Sequence, residues 1–403
     1  MMIQLSQYTL LREVQRGEGY LLCSGQRNRD DAKVLLKVLT RECPSPWEIA
    51  ALRHEFAITR GLELAGVVRP YSLEQDNQRT LLVMEDPAGR PLSEAMQEDQ
   101  IDLLTVLQVG MALASTLGFL HEKRVIHKDI KPSNIFVRGA RPMAKLYGFA
   151  IATRLSQEHQ RLRAPDSLEG TLAYMSPEQT GRMNRTIDYR TDFYSLGVTL
   201  YEMLTHVLPF STTDPLELIH SHIARRPVPP HELRPEIPEA VSNIVMKLLA
   251  KSAEDRYQSA SGLEADLSTC VAQWQAASEI APFLPGCHDL RCELIFPQKL
   301  YGRDAQCEAL FSVWERASRG ATELLLISGY SGVGKSALVR EVHKAIARRG
   351  GYFVAGKFEQ LMRNAVPHAA IAHAFRELIQ QILTERAAAL AANPGLRAVL
   401  EAR

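Results

Sequence analysis

Residues 126–136 read IHKDIKPSNIF. Four polar side chains of different chemistry, His127, Asp129, Lys131 and Asn134, are crowded into one short loop between apolar, β-like residues. A core would have to find a partner for each of them, so this concentration argues for a site rather than for packing. Phosphoryl transfer asks a protein for positioning and electrostatics more than for covalent help. It uses a carboxylate to orient the attacking hydroxyl, a cation to steady the transferred group, and an amide oxygen to ligate a metal. Asp129, Lys131 and Asn134 are those three types.

Toward the N-terminus, the runs LLREV, YLLCS, KVLLKVL and RTLLVMED predict strands, and residues 46–64 predict one helix from the helical spacing of their apolar positions. Toward the C-terminus, residues 92–275 predict a mostly helical region, with a loop-rich interval over 124–177. The longest apolar stretch, 106–120, is broken by Gln108, Gly110, Ser115, Thr116 and Gly118. It is shorter than the ~20 residues that span a bilayer, and it reads as a buried helix.

The loop resembles the H-R-D-x-x-x-x-N catalytic loop of the eukaryotic-type serine/threonine protein kinases of bacteria, with Lys128 where arginine is usual. The resemblance implies an α+β two-lobed protein kinase fold over residues 1–275, with a small β-rich lobe over about 1–88 and an α-rich lobe over about 89–275. It also implies ATP as phosphate donor, a divalent metal (magnesium, with manganese able to replace it), and a protein substrate offering serine or threonine. Asp129 would orient the hydroxyl, Lys131 would steady the γ-phosphate and Asn134 would hold the metal. Lys37, in KVLLKVL, would pair with Glu55, in RHEFAI, and hold the α and β phosphates. EGTLAYMSPEQ resembles the end of an activation segment, with Glu178 in the A-P-E place, and Asp192 leads a stretch that resembles the buried helix after it. Arg256 resembles the arginine that pairs with that glutamate. His127, Glu178, Asp192 and Arg256 are read as scaffold.

Two parts of the pattern are missing. The D-F-G aspartate, which holds metal in the family, falls at Gly148 in the triplet Gly148, Phe149, Ala150, and residues 138–157 contain no Asp or Glu to replace it. The glycine-rich loop has two registers. One puts Gln15, Gly17 and Tyr20 in the three glycine places, and the other keeps Gly17 and Gly19 but puts Leu22 last. Gly17 is the nucleotide-binding candidate common to both. The expectation is a kinase weakened at Gly148; the alternative is a pseudokinase acting as a regulatory or interaction module.

A second constellation lies in ELLLISGYSGVGKSALVREVH, where Gly329, Gly334, Lys335 and Ser336 form G-x-x-x-x-G-K-S between a β-like and a helix-like run. Glycines let backbone amides cradle phosphate, Lys335 reaches the outer oxygens, and Ser336 ligates magnesium. Pro282, Pro285, Gly286 and Pro297 mark a linker over 276–299. Residues 300–403 read as the first part of an α/β P-loop domain of AAA type. No later apolar run ends in an acidic residue, so this ATPase reads as truncated. With PQKLYGRDAQCEAL, the chain resembles large bacterial signalling proteins that join a serine/threonine kinase, an AAA-type ATPase and a sensor histidine kinase. That resemblance implies sensor or histidine-kinase modules, or a separate chain, as partners.

Composition sets the outer bounds. At 403 residues the chain is long enough for two cores, since one core rarely grows beyond ~250–300 residues. A formal net charge of +1 offers no field for nucleic acid or an anionic membrane. The six cysteines form no disulfide framework, no secretory start is read, and a cytoplasmic location is expected. Cys287, His288 and Cys292 lack the further partners of a zinc site.

Overall fold

The computed structural model describes residues 5–289 except 18, 42, 78, 99–100, 140–142, 155–156, 160–169 and 182–185; it also describes 302–329, 335, 338–339, 354, 371, 374–375 and 378–379. These fall into two compact units.

In the first unit, strands β1 (Tyr8–Gly17), β2 (Tyr20–Arg27) and β3 (Lys33–Leu39) lead to helix α1 (Pro46–Thr59), and β4 (Pro70–Asp76) and β5 (Arg79–Glu85) follow. All pairings are antiparallel, in the order β1-β2-β3-β5-β4. The two-residue side-chain period of a strand sorts β3 into two faces. Val34, Leu36 and Val38 pack with Tyr8, Leu81 and Val83. Leu35 and Leu39 pack with Leu22, Leu82 and, from α1, Leu52. Lys37 shares this second face and is carried under the helix.

Within this sheet one strand goes beyond the sequence expectation. β4 opens on a proline and continues through polar residues, so it lacks the apolar run that marks the others; it survives as an edge strand, where proline's missing N–H is tolerated. Helix α1 also ends at Thr59 rather than near residue 64.

The helical part begins after the short β6 (Arg90–Pro91) with α2 (Leu92–Glu98) and α3 (Leu103–Glu122). Strands β7 (Ile135–Arg138) and β8 (Met143–Leu146) pair with each other, and β9 (Gln157–His159) pairs with β10 (Thr186–Asp188). Helices α4 (Arg190–Thr205), α5 (Pro215–Ala224), α6 (Pro230–Leu233), α7 (Glu239–Leu248) and α8 (Ala260–Ala277) complete the unit. α3 is long and apolar enough to cross a membrane by length and composition, and Val106, Leu113, Leu117 and Leu120 are buried in the core of this unit. In α4 every residue but Glu202 is buried, so it runs through the interior, as a helix must when no face of it meets water.

In the second unit, α9 (Asp304–Ser318) is followed by residues 321–329 without regular structure. Of the strand expected over ELLLISGY, the described residues 323–329 show none, and Tyr330 lies outside the described residues. A strand exists only as part of a ladder, and among the described residues none pairs with this run; Leu324 and Leu326 are almost fully exposed. Lys335, Leu338 and Val339 have helical backbone.

Candidate phosphoryl-transfer site

Helix α1 is started by its own sequence. Ser45 accepts from the Glu48 backbone N–H, and Glu48 Oε2 accepts from that of Ser45 at 2.7 Å, a reciprocal cap that fixes the first turn. Two turns on, Glu55 falls on the stripe buried with Leu52, Ile58 and Thr59. Its Oε2 meets Lys37 Nζ at 2.7 Å, with the lysine side chain 7% and the glutamate 2% exposed. The other oxygen, Oε1, accepts from the Phe149 backbone N–H at 3.2 Å. The carboxylate therefore joins β3, α1 and the segment after β8.

The loop of residues 127–134 hangs from α4. Asp192, fully buried, accepts from the backbone N–H groups of His127 at 3.0 Å and Lys128 at 2.8 Å, and from His121 Nε2 at 2.9 Å. His127 is buried with its ring edge-on to Phe149, the centroids 4.4 Å apart. Its Nδ1 accepts from the Asp129 N–H at 3.2 Å, and its Nε2 lies 3.1 Å from the Tyr147 carbonyl, which assigns the proton to Nε2. Burial lowers its pKa and favours the neutral ring.

Asp129 is the hub of the site. Its Oδ2 lies 2.8 Å from Lys131 Nζ and accepts from Asn134 Nδ2 at 2.9 Å. Its Oδ1 accepts from the backbone N–H and the hydroxyl of Thr171, at 3.2 and 3.0 Å. Lys131 also donates to the Thr171 hydroxyl. A hydroxyl can therefore be held between a carboxylate acceptor and an ammonium here, the arrangement that an attacking serine or threonine requires.

At Gly148 the backbone is left-handed, with φ +86°. The space beside it is taken by Asn134, whose Nδ2 also donates to the Asp129 carbonyl at 2.8 Å. The residues present do not fit a two-donor metal clamp. Asn134 is one donor, turned toward Asp129, and Gly148 supplies none.

Away from the reacting groups, Arg256 grips Glu178 with both terminal guanidinium nitrogens, at 2.7 and 2.8 Å, and both side chains are buried. Burial alone would push the Glu178 carboxyl up, yet the charge and bonds of Arg256 overcome it and hold the pKa at about 2.

The structure thus brings Lys37 to Glu55, and Asp129 to Lys131 and Asn134, and ties His127 to Asp192 through the backbone. Gly17 lies at the end of β1, paired with Tyr20. In the second unit, Lys335 Nζ donates to the Gly329 carbonyl at 2.8 Å, while Gly334 and Ser336 lie outside the described residues. Sequence reasoning missed Thr171, which stands in EGTLAYMSPEQ but 42 positions from Asp129. It also missed Gln179, which donates to the Lys128 carbonyl at 2.8 Å. Both belong to the quoted activation-segment motif, and for Thr171 the available signal was an unassigned polar residue beside Gly170.

Residues 8–267 match the protein kinase domain family, and residues 299–402 match the AAA ATPase domain family. Hybrid signal transduction histidine kinase G of Dictyostelium discoideum is 29% identical over 390 residues, 74% of this chain and 11% of that protein. Serine/threonine-protein kinase Pkn1 of Myxococcus xanthus is 30% identical over 277 residues, 67% of this chain and 39% of that protein. Serine/threonine-protein kinase PknB of Mycolicibacterium smegmatis is 33% identical over 187 residues, 46% of this chain and 29% of that protein. The chain spans between 11% and 39% of the length of these relatives.

Proposed function

The chain belongs to the protein kinase family, and from that premise we propose that it transfers a phosphoryl group from ATP to a serine or threonine hydroxyl of a protein substrate. The observation that carries this reading is the cluster around Asp129, where a carboxylate and the Lys131 ammonium converge on one hydroxyl. Asp129 would orient the attacking oxygen and accept its proton, and Lys131 would face the charge on the transferred group. Lys37, held by Glu55, would bind the nucleotide's phosphates.

In this reading the kinase part covers residues 1–275, a linker follows over 276–299, and residues 300–403 bind nucleotide through Gly329, Gly334, Lys335 and Ser336. Sensor or histidine-kinase modules, or a separate chain, are the partners in this reading, and one relative's name carries the histidine kinase. A cytoplasmic location goes with such a signalling role.

The second reading is a pseudokinase module, and the observation that favours it is Asn134 turned onto Asp129 beside a residue 148 without a side chain. A metal ordinarily neutralises charge on the moving phosphoryl group, a contribution of roughly several kcal/mol.

Transfer from labelled ATP, with magnesium or manganese, to the protein and to a generic substrate separates the two. The full chain carries Lys335→Ala, so that the P-loop cannot contribute. Transfer that disappears in Asp129→Ala establishes the kinase. Absence of transfer in a folded protein that still binds nucleotide establishes the pseudokinase.

A further inference from the structure

The tip of the β1–β2 hairpin is folded onto Lys37. Gly17 pairs with Tyr20 across the hairpin, and the Tyr20 ring turns inward until Lys37 Nζ lies 4.3 Å from its centroid. The ring rests on the backbone of Gly17. A β-carbon there would fall 2.2 Å from Tyr20 Cε1, so any larger residue at position 17 would expel the ring. The tip itself is tied down. The Gly19 carbonyl accepts from the Thr40 N–H at 3.0 Å, and Gly19, with φ +78°, packs so tightly on Glu48 that a β-carbon would meet its Oε1 at 2.3 Å. Glu48 completes the reciprocal cap of α1 with Ser45, so the helix carrying Glu55 also packs on the hairpin.

The Lys37 ammonium is thereby enclosed. Glu55 takes one side at 2.7 Å, the Tyr20 face covers another, and the Tyr147 ring centroid lies 5.3 Å away. An ammonium covered by an aromatic face at this distance is attracted to the ring, and phosphate oxygens cannot approach through the same side.

Taking Lys37 as the phosphate-binding lysine, we propose that Tyr20 is a nucleotide-competing plug, whose ring must swing off Lys37 before a triphosphate binds. The observed affinity is then the intrinsic affinity multiplied by the fraction of molecules with the ring out. The ligand class that opens the site is one bringing anionic oxygens to Lys37, since only a charge outcompetes the ring for the ammonium.

The test uses the full chain with Lys335→Ala, alone and with Tyr20→Gly, Tyr20→Ser or Tyr20→Phe. Two quantities are measured: the rate at which acetic anhydride modifies Lys37 without nucleotide, read by peptide mass spectrometry, and the affinity for a fluorescent ATP analogue. Tyr20→Gly should label Lys37 about threefold faster or more and bind the analogue about fivefold tighter. Tyr20→Ser provides the same comparison should glycine loosen the hairpin. Tyr20→Phe keeps the ring and should match the parent in both. An unchanged labelling rate in both ring-free variants overturns the plug, and so does faster labelling with unchanged or weaker affinity. Faster labelling with no analogue bound by any variant overturns the nucleotide reading of Lys37 and leaves the ring's cover of it standing.

Discussion

The Asn134 amide stands where a side chain on Gly148 would begin, for a β-carbon there would lie 2.9 Å from both Asn134 Cγ and Nδ2. Asn134 spends its donor on Asp129, at 2.8 Å to the carbonyl and 2.9 Å to the carboxylate. The place where an aspartate side chain would start and the amide that bonds to the hub of the site are therefore immediate neighbours.

Restoring the acid tests the metal argument. Gly148→Asp places a residue type that tolerates left-handed backbone, and the contact it meets is the movable end of Asn134. Transfer from labelled ATP in the Lys335→Ala background should rise about tenfold, or ~1.4 kcal/mol of barrier, while Gly148→Ala gives no gain. A flat response to Gly148→Asp would remove a metal ligand at position 148 from the account of this site.

Asp129→Asn preserves shape while removing the charge that orients and accepts the hydroxyl proton. The rate should fall by about 10²- to 10⁴-fold, as for loss of a general base. Thermal unfolding of the same variant separates this loss from simple misfolding.

Lys37 and Glu55 stand or fall together. Lys37→Met leaves a carboxylate at 2% exposure without its cation, at a cost of about 3–5 kcal/mol in urea unfolding. The double variant Lys37→Met, Glu55→Leu should recover most of that stability while remaining unable to bind phosphate. A single variant as stable as the parent would mean that water reaches the pair.

The Glu178–Arg256 pair makes stability depend on acid. The Glu178 pKa is about 2 folded, against 4.5 for the free side chain, so its contribution is present above about 4.5. It is lost as the pH falls from there toward 2, because the unfolded state takes up the proton first. Unfolding midpoints followed over that window should fall less steeply in Glu178→Gln, whose side chain does not titrate.

Much of the site was legible in advance because its members are close in sequence. Asp129, Lys131 and Asn134 lie within one loop, and a loop that short brings their side chains together in almost any conformation. Lys37 and Glu55 were legible only through the family resemblance; in the structure the strand period and the buried stripe of the helix set them on two faces that meet. The β4 strand was not legible, since an edge strand with one polar side shows no apolar run. Over residues 323–329 of the expected strand ELLLISGY no strand is seen and no described residue pairs with them: apolar composition only permits a ladder, and a partner must supply it.

By itself the sequence determined which chemical groups are available and in what order: the carboxylate, ammonium and amide of residues 129–134, the absence of an acid at 148, and Tyr20 where a glycine would leave room. Only the tertiary structure decided how these groups are used. Thr171 joins Asp129 from 42 positions away, Asn134 turns onto the carboxylate, and the Tyr20 ring lies over Lys37. The physical reason is that side-chain direction is chosen by the space and partners that packing leaves open, and those partners come from distant parts of the chain.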